Sequence, residues 1–584
     1  MKVKEKKFHF GNFKYYKLLF IFILYTTFVF FSGVSVYKNS DSKYYLSQLR
    51  DVLFDTKNFL RGAFNAITSE PANRLSIDIK FKKYKKLEYD RDVALSIGTL
   101  VSNKYVPAKI NVGGISYNVK IRLKGDLNDH LLGSKWSFRV KVVGDNTIWG
   151  MKQFSLHHPN TRNYVYEWLY HKILKIEGLI SLRYDFLRVV LNGRDLGIYA
   201  IEEHFEKRLL EYNARKNGPI IRFNENLMWD EFINYSSFSD KKSPKYGSYY
   251  SSNIDAFQST KLLEDSILFH NYKSALALLE SFRNEELKTS DVFDVDLLST
   301  YFAVVDLLRA EHGARWHNMR FYYNPITSKL EPIGFDAEAG KQSITTLIGI
   351  EANNIVNHTN NNLGREKSYY KSIFKDQYFY KEYIKKLQKF SKNEYLDLFF
   401  ENNGSEIDKK IKIINKEWPS YTMDKNILYD NQLFIQNMLS PSKALHSFIR
   451  DTHDKVEISF GSIYPLPIKI ESISINNTLN VSPDSNIILS PKYFNDKVNY
   501  IDYTFNYPEK LFFEKITQNE IIVNYSIDGL NDIISTKAFP WHYNNKSFIN
   551  KGFERKNSNI FDFNFLKIDE KNKVIKFPLG DWII

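Results

Sequence analysis

Apolar residues alternate with polar ones along S-I-D-I-K-F, I-S-Y-N-V-K-I-R-L-K and S-F-R-V-K-V, so Leu75 to Val143 reads mainly as strands. The last two runs flank the polar stretch G-D-L-N-D-H-L-L-G-S, which has the composition of a loop. From Tyr164 the period lengthens to that of a helix, with Tyr166, Leu169, Tyr170 and Leu174 on one face and Glu167 one turn from His171 on another. Arg183–Leu191 and Gly197–Ile201 then form two strands about an Asn192-Gly193 turn and lead into Glu202-Glu203-His204. Five strands with one inserted helix suit either the small lobe of a kinase or an ordinary antiparallel α+β domain.

A helix over Phe205–Asn213 and a short strand over Pro219–Phe223 precede a Tyr- and Ser-rich loop from Asn226 to Lys261. That loop suits a lid or an insertion, and its hydroxyls are candidates for autophosphorylation. Residues 262–285 and 368–447 are helical by period, interrupted at Pro419. Between them, Asp294–Ala310 is apolar around most of its circumference and predicts a buried helix. Its leftover face carries Ser299, Ala303, Asp306 and Ala310. A buried Asp306 needs an arginine such as Arg309 or Arg315, or the border of a polar cavity.

The next stretch carries the chemistry. Asn318 opens a strand, Met319–Tyr323, and Asp336 closes its partner, Leu330–Phe335, across the turn Asn324–Lys329. Such a hairpin brings its ends together, so Asn318 and Asp336 can share one hard cation, an amide oxygen and a carboxylate leaving room for phosphate and water. His312 and His317 stand five apart across a Gly corner, with no third ligand at a zinc-site spacing. Upstream, Arg122, Lys124, Lys135, Arg139 and Lys141 converge on the Gly125-Asp126 turn. Cations alternating along a strand suit a solvated face, and cations gathered at one turn suit phosphate.

From about Lys455 the period returns to two, in I-K-I-E-S-I-S-I, I-I-V-N-Y-S-I and F-D-F-N-F, which predicts a small β-rich module without an evident catalytic cluster. The last residues, K-V-I-K-F-P-L-G-D-W-I-I, read as strand, either paired within that module or marking a shortened architecture. At the other end, Leu18 to Val36 carries no charge and has the length of a membrane-crossing helix with lysines before it. It predicts an anchor with the body exported, periplasmic or extracellular, a cleaved signal peptide being the alternative.

Composition narrows the classes further. At 584 residues the chain is long enough for several packed units, and with no cysteine it has no disulfide, thiolate metal site or thiol nucleophile. Much of the net charge of +14 lies before the first apolar run, where Lys2, Lys4, Lys6, Lys7, Lys14 and Lys17 face only Glu5. The remainder is too dispersed for a nucleic-acid stripe.

R-L-K-G-D, K-W-S-F-R-V-K, L-N-G-R-D-L-G-I-Y-A-I-E-E-H-F, W-H-N-M-R-F-Y-Y-N-P and P-I-G-F-D stand in this order between Ser76 and Gly340. Together they resemble the CotH kinase family, atypical protein kinases named for a spore-coat protein. The resemblance implies an α+β, two-lobed kinase-like fold: a start and transmembrane helix over 1–40, a stalk over 41–74, an N-lobe over 75–204, a helical C-lobe over 205–450 and the β-rich module over 451–584. It implies ATP with Mg2+ or Mn2+, the metal on Asn318 and Asp336. Lys124 or Lys135 would reach the phosphates, with Lys135 on a strand and Glu167 steadying the lysine, and Glu202 would stand at the adenine hinge.

For the base, the family's Asp ahead of the metal-binding Asn has no counterpart, position 313 being Gly, so Glu311, Asp306 and His312 compete. The function implied is phosphate transfer from ATP to a protein hydroxyl at the bacterial cell surface. The alternative is a catalytically weak or inactive scaffold that binds envelope polysaccharide or surface proteins. A glycosidase pairing Glu202 with Glu311 has no support in the spacing.

Overall fold

The computed structural model describes residues 56–125, 128–230, 249–351, 366–450, 455–492, 497–506 and 520–540, and the backbone of four short strands after residue 553. Leu18–Val36 and half of the Tyr/Ser-rich loop lie outside the described residues. Among the described residues no helix is long and apolar enough to cross a membrane. Contacts divide the chain into two units. The first joins residues up to Pro71 to Ile411–Thr422, and within it Asn65 Nδ2 donates to Asn415 Oδ1 at 3.2 Å. The second holds Ala72–Lys410 and Met423–Ile584.

The fold is mixed α+β. Strands β1 (Arg74–Asp78), β2 (Val106–Val112), β3 (Ile115–Leu123), β4 (Phe138–Val142), β5 (Gln153–His157), β6 (Tyr184–Leu191) and β7 (Arg194–Glu203) form a closed barrel in the order β1-β2-β3-β4-β5-β7-β6. The expected five-stranded sheet is therefore corrected to seven strands. Closure comes from β1, which pairs antiparallel with β2 (Ile77↔Ile110) and parallel with β6 (Leu75↔Val189). Ile77, Ile110, Ile121, Phe138, Phe154 and Val189 meet in its core, so the alternating apolar faces find one common interior. The β6–β7 turn is the expected one: Asn192 and Gly193 both have positive φ, and Leu191 faces Arg194.

Two helices accompany the barrel. Helix α1 (Phe81–Ile97) lies in a stretch read from its sequence as strand. It buries only Leu87 and Ala94 deeply, so its lysine-rich sequence carries almost no apolar stripe. Helix α2 (Val165–Ile176) enters between β5 and β6, where the sequence places it.

A second sheet runs in the order β11-β10-β8-β9, with β8 Ile220–Phe223, β9 Ile254–Ala256, β10 Arg320–Asn324 and β11 Lys329–Ile333. The β10–β11 hairpin pairs Arg320 with Ile333 and Asn324 with Lys329, so its open end points toward Asn318 and Asp336. Helix α3 (Val295–Leu308), capped by the Asp294 carboxylate, is buried from Leu298 to Leu308 on every face. It packs on α4 (Gln377–Ser391) and α5 (Asn426–Leu439).

Strands then take over. Leu445–Ile449, Val456–Ser462, Tyr500–Phe505 and Phe539–Pro540 share one sheet, and Ile468–Ile475 with Ile521–Ile527 centre another. The start of this region, Leu445–Ile449, falls inside the run read as helical up to residue 447. The terminal Gly580–Ile583 pairs with Val574–Phe577 and Glu554–Arg555.

Candidate active site

Beyond β11 the chain makes a turn through Phe335, Asp336, Ala337 and Glu338, with Asp336 at φ 54° and Glu338 at φ 50°. Alternating left-handed residues point successive backbone N–H groups to one side, which makes an anion cradle. Its occupant is Glu167 from α2: Ala337 N–H donates to Oε1 and Glu338 N–H to Oε2, each at 3.1 Å. Burial pushes the Glu167 carboxyl up to about 8, working against Arg162 and these donors. His171, one turn on, accepts from Leu182 N–H at Nδ1 and sets Nε2 3.7 Å from Glu167.

The same turn presents the Asp336 carboxylate to two side chains. Arg162, from the short turn Pro159–Arg162 after β5, brings Nε to 2.8 Å from Oδ1. His312, just after α3, holds Nδ1 2.8 Å from the Asp336 carbonyl and 3.2 Å from Oδ1. A carbonyl only accepts, so Nδ1 carries the proton and Nε2 is the free nitrogen. Asn318 donates through Nδ2 to the His312 carbonyl at 2.9 Å, leaving Oδ1 as the acceptor end of the amide.

Burial opposes charge on Asp336, yet Arg162 and His312 hold its pKa well below the carboxylate range. Burial likewise opposes a proton on His312, and Asp336 raises its pKa above the ordinary value. His312, Asp336 and Glu338 each offer a ligand atom, all within 4.8 Å of one another. The Oδ1 atom of Asp336 is buried between Arg162 Nε and His312 Nδ1, so a hard cation at this carboxylate would share it with both.

Behind this turn lies the floor of the barrel mouth. Lys124 Nζ donates to Glu202 Oε2 at 2.8 Å, both side chains buried, with Lys124 6.0 Å from the Phe335 ring centre. Burial opposes the Glu202 charge, but Lys124 holds its pKa down to about 2. Burial pulls Lys124 down in turn. His157 of β5, kept neutral by burial with a pKa lowered to about 3, faces the same region. Glu202 Oε1 and His157 Nε2 are buried there without aligned hydrogen bonds.

The structure thus gathers Asn318, Asp336, His312, Glu167, Lys124 and Glu202 and leaves out three candidates. Lys135 is not on a strand: it lies in the loop before β4 and donates to the Ile198 carbonyl at 3.0 Å, over the Tyr199 ring. Glu311 pairs with Arg309 at 3.0 Å. Asp306 accepts from Ile348 N–H at 3.0 Å and from Tyr383 Oη at 2.5 Å, within the helical layer. Glu202, expected at a hinge, is the buried partner of Lys124, and Glu167 holds the Asp336 turn where a grip on a lysine was expected.

Gly313 packs directly against this turn. A Cβ there would lie 2.8 Å from the Phe335 carbonyl oxygen and 3.2 Å from Ala337 Cα, so no larger residue fits against the turn. Arg162, Glu338 and His157 join the site without having been singled out from the sequence. The H-H-P-N-T-R run was the available signal for the first and last, since its proline opens a turn directly after a strand.

Comparison with family models matches residues 121–453 to the CotH kinase protein family, more than half of the chain and every side chain of the site just described. No curated protein matches the chain. The chain belongs to the CotH kinase family.

Proposed function

We propose that the chain is an atypical protein kinase, with the barrel as small lobe and the helical layer around α3 as large lobe, transferring the γ-phosphoryl of ATP to a protein hydroxyl. The observation that carries this reading is the Asp336 carboxylate, fixed on a left-handed turn and met by His312 and Arg162, with the Asn318 amide bonded to the His312 carbonyl. Asn318 Oδ1, Asp336 and Glu338 would hold Mg2+ or Mn2+, which when bound neutralises phosphate charge. Lys124 and Arg162 add fixed positive charge facing that position. His312 Nε2 takes the proton of the acceptor hydroxyl as its oxygen bonds to phosphorus and the bond to the ADP oxygen breaks. With Leu18–Val36 as a membrane anchor, this activity would act at the cell surface, on surface proteins.

Arg162 also favours a second reading. A guanidinium already seated on the metal carboxylate suits a scaffold that binds surface proteins or envelope polysaccharide without strong catalysis. Intact-protein mass spectrometry after incubation with ATP and Mg2+ or Mn2+ separates the two. Added phosphate that disappears in Asp336→Asn supports the kinase. No added phosphate on the chain or on generic protein acceptors, together with no ATP-dependent thermal shift, sinks it.

A further inference from the structure

A cavity of about 410 Å³ opens on the far face of α2, between that helix, β6, the Trp149 turn and the helix Asn393–Asn415. Arg162, Asp336 and His312 do not line it. We propose that it is a second ligand site, independent of phosphoryl transfer, for a small ring-bearing anion: a single phosphate or carboxylate on a flat or sugar ring.

The charge of the lining sets the anion. Lys172 pairs with Glu406 at 2.7 Å, Lys410 with Asp185 at 2.7 Å, and Arg183 Nε with Glu203 at 2.9 Å. That leaves Lys175, whose ammonium bonds the Tyr212 hydroxyl and lies 3.7 Å from the Tyr212 ring centre. Among the described residues no carboxylate forms an ion pair with it. One unmatched ammonium beside a phenol recognises one anionic group.

The aromatic residues set the ring. Trp149 and Tyr212 line the cavity and are 40% and 41% exposed, the Tyr212 ring lying against Lys175 and Arg183, and Trp168 forms the inner wall between Lys172 and Lys410. Trp149 is held in place: its backbone is left-handed at φ 49°, and Arg183 donates to the carbonyls of Trp149 and Gly150 at 3.3 and 3.1 Å. A left-handed backbone held by such a clamp, presenting an indole to solvent, is a feature of binding sites. The volume falls within the range of roughly 300–1,000 Å³ that small-molecule sites occupy. Helix α2 joins the two sites, since His171 lines the cavity and stands 3.7 Å from the Glu167 that grips the Asp336 turn.

The test is titration of the full chain with phenyl phosphate, glucose 6-phosphate, benzoate and inorganic phosphate, followed by tryptophan fluorescence and calorimetry. At least one ring-bearing anion should bind saturably, and inorganic phosphate at least roughly tenfold more weakly. The tightest ligand identifies the ring and the anion. Lys175→Gln, at an exposed position where folding is not at stake, should weaken binding by about tenfold or more, Lys175→Arg should retain it, and Asp336→Asn should leave it unchanged. Binding that ignores Lys175→Gln, binding lost in Asp336→Asn, inorganic phosphate binding as tightly as its ring esters, or no saturable binding at millimolar ligand would each overturn the proposal.

Discussion

Arg162 Nε sits 2.8 Å from Asp336 Oδ1 with both side chains almost withdrawn from water, so a protein cation already occupies one face of the proposed metal carboxylate. A metal must share that carboxylate with the guanidinium. Removing one partner of a buried pair strands the other, at a cost of roughly 3–5 kcal/mol. Arg162→Gln should therefore melt at a lower temperature without metal and recover more than the wild type when Mn2+ is added. Differential scanning calorimetry with and without Mn2+ checks this, and equal metal-induced shifts in the two proteins would contradict the placement of the metal.

Of the three residues that compete for the role of base, only His312 contacts Asp336 among the interactions described above. Its free Nε2 should matter as a general base does, so His312→Gln should lower the phosphorylation rate by roughly 100-fold or more. Glu311→Gln should change the rate only a few-fold, since Glu311 is turned to Arg309. Asp306→Asn should act on stability, by about 1–3 kcal/mol, because it weakens the buried bond from Tyr383. Single-turnover kinetics beside thermal melting distinguishes these outcomes, and a large rate loss confined to Glu311→Gln would reassign the base.

Gly313 cannot be repaired into a conventional kinase aspartate. The contact of a Cβ with the Phe335 carbonyl and Ala337 forces the Asp336 turn to move, which by analogy with overpacked cores costs about 1–3 kcal/mol. Gly313→Ala and Gly313→Asp should both lower the melting temperature and reduce activity. A gain of activity in Gly313→Asp would show that the turn yields more readily than its packing implies.

The Lys124–Glu202 pair predicts acid sensitivity. Glu202 is depressed to about 2 in the folded chain against an ordinary 4.5, so the unfolded chain binds its proton first as pH falls. Its contribution is complete above about pH 4.5 and is lost between there and about pH 2, to the extent of roughly 3 kcal/mol. Glu167, raised to about 8, works in the opposite sense between 4.5 and 8, so the comparison has to be between variants. The stability of Glu202→Gln should fall less steeply than that of the wild type below pH 4.5, measured by urea unfolding across that range. Parallel curves would mean that Lys124 does not hold the carboxylate down.

Local pattern made several parts of this architecture legible. The period of Val295–Leu308, the Asn192-Gly193 turn and the β10–β11 hairpin each follow from residues within one element and its immediate neighbours. The hairpin alone was enough to bring Asn318 and Asp336 to one end. Helix α1 escaped because it buries so little that no apolar stripe marks it.

Short-range geometry accounts for most of the elements, the family motifs and the place of Asn318 and Asp336 at the open end of one hairpin. Tertiary structure alone decided that the barrel closes through β1 against β6, that Arg162 faces Asp336, that Glu167 fills the cradle of the Asp336 turn, and that Lys124 takes Glu202. The physical reason is common to all four. Each joins residues far apart in the chain whose charges or strand edges could have met many partners, and only the packing of α2 and the barrel against the hairpin selects one.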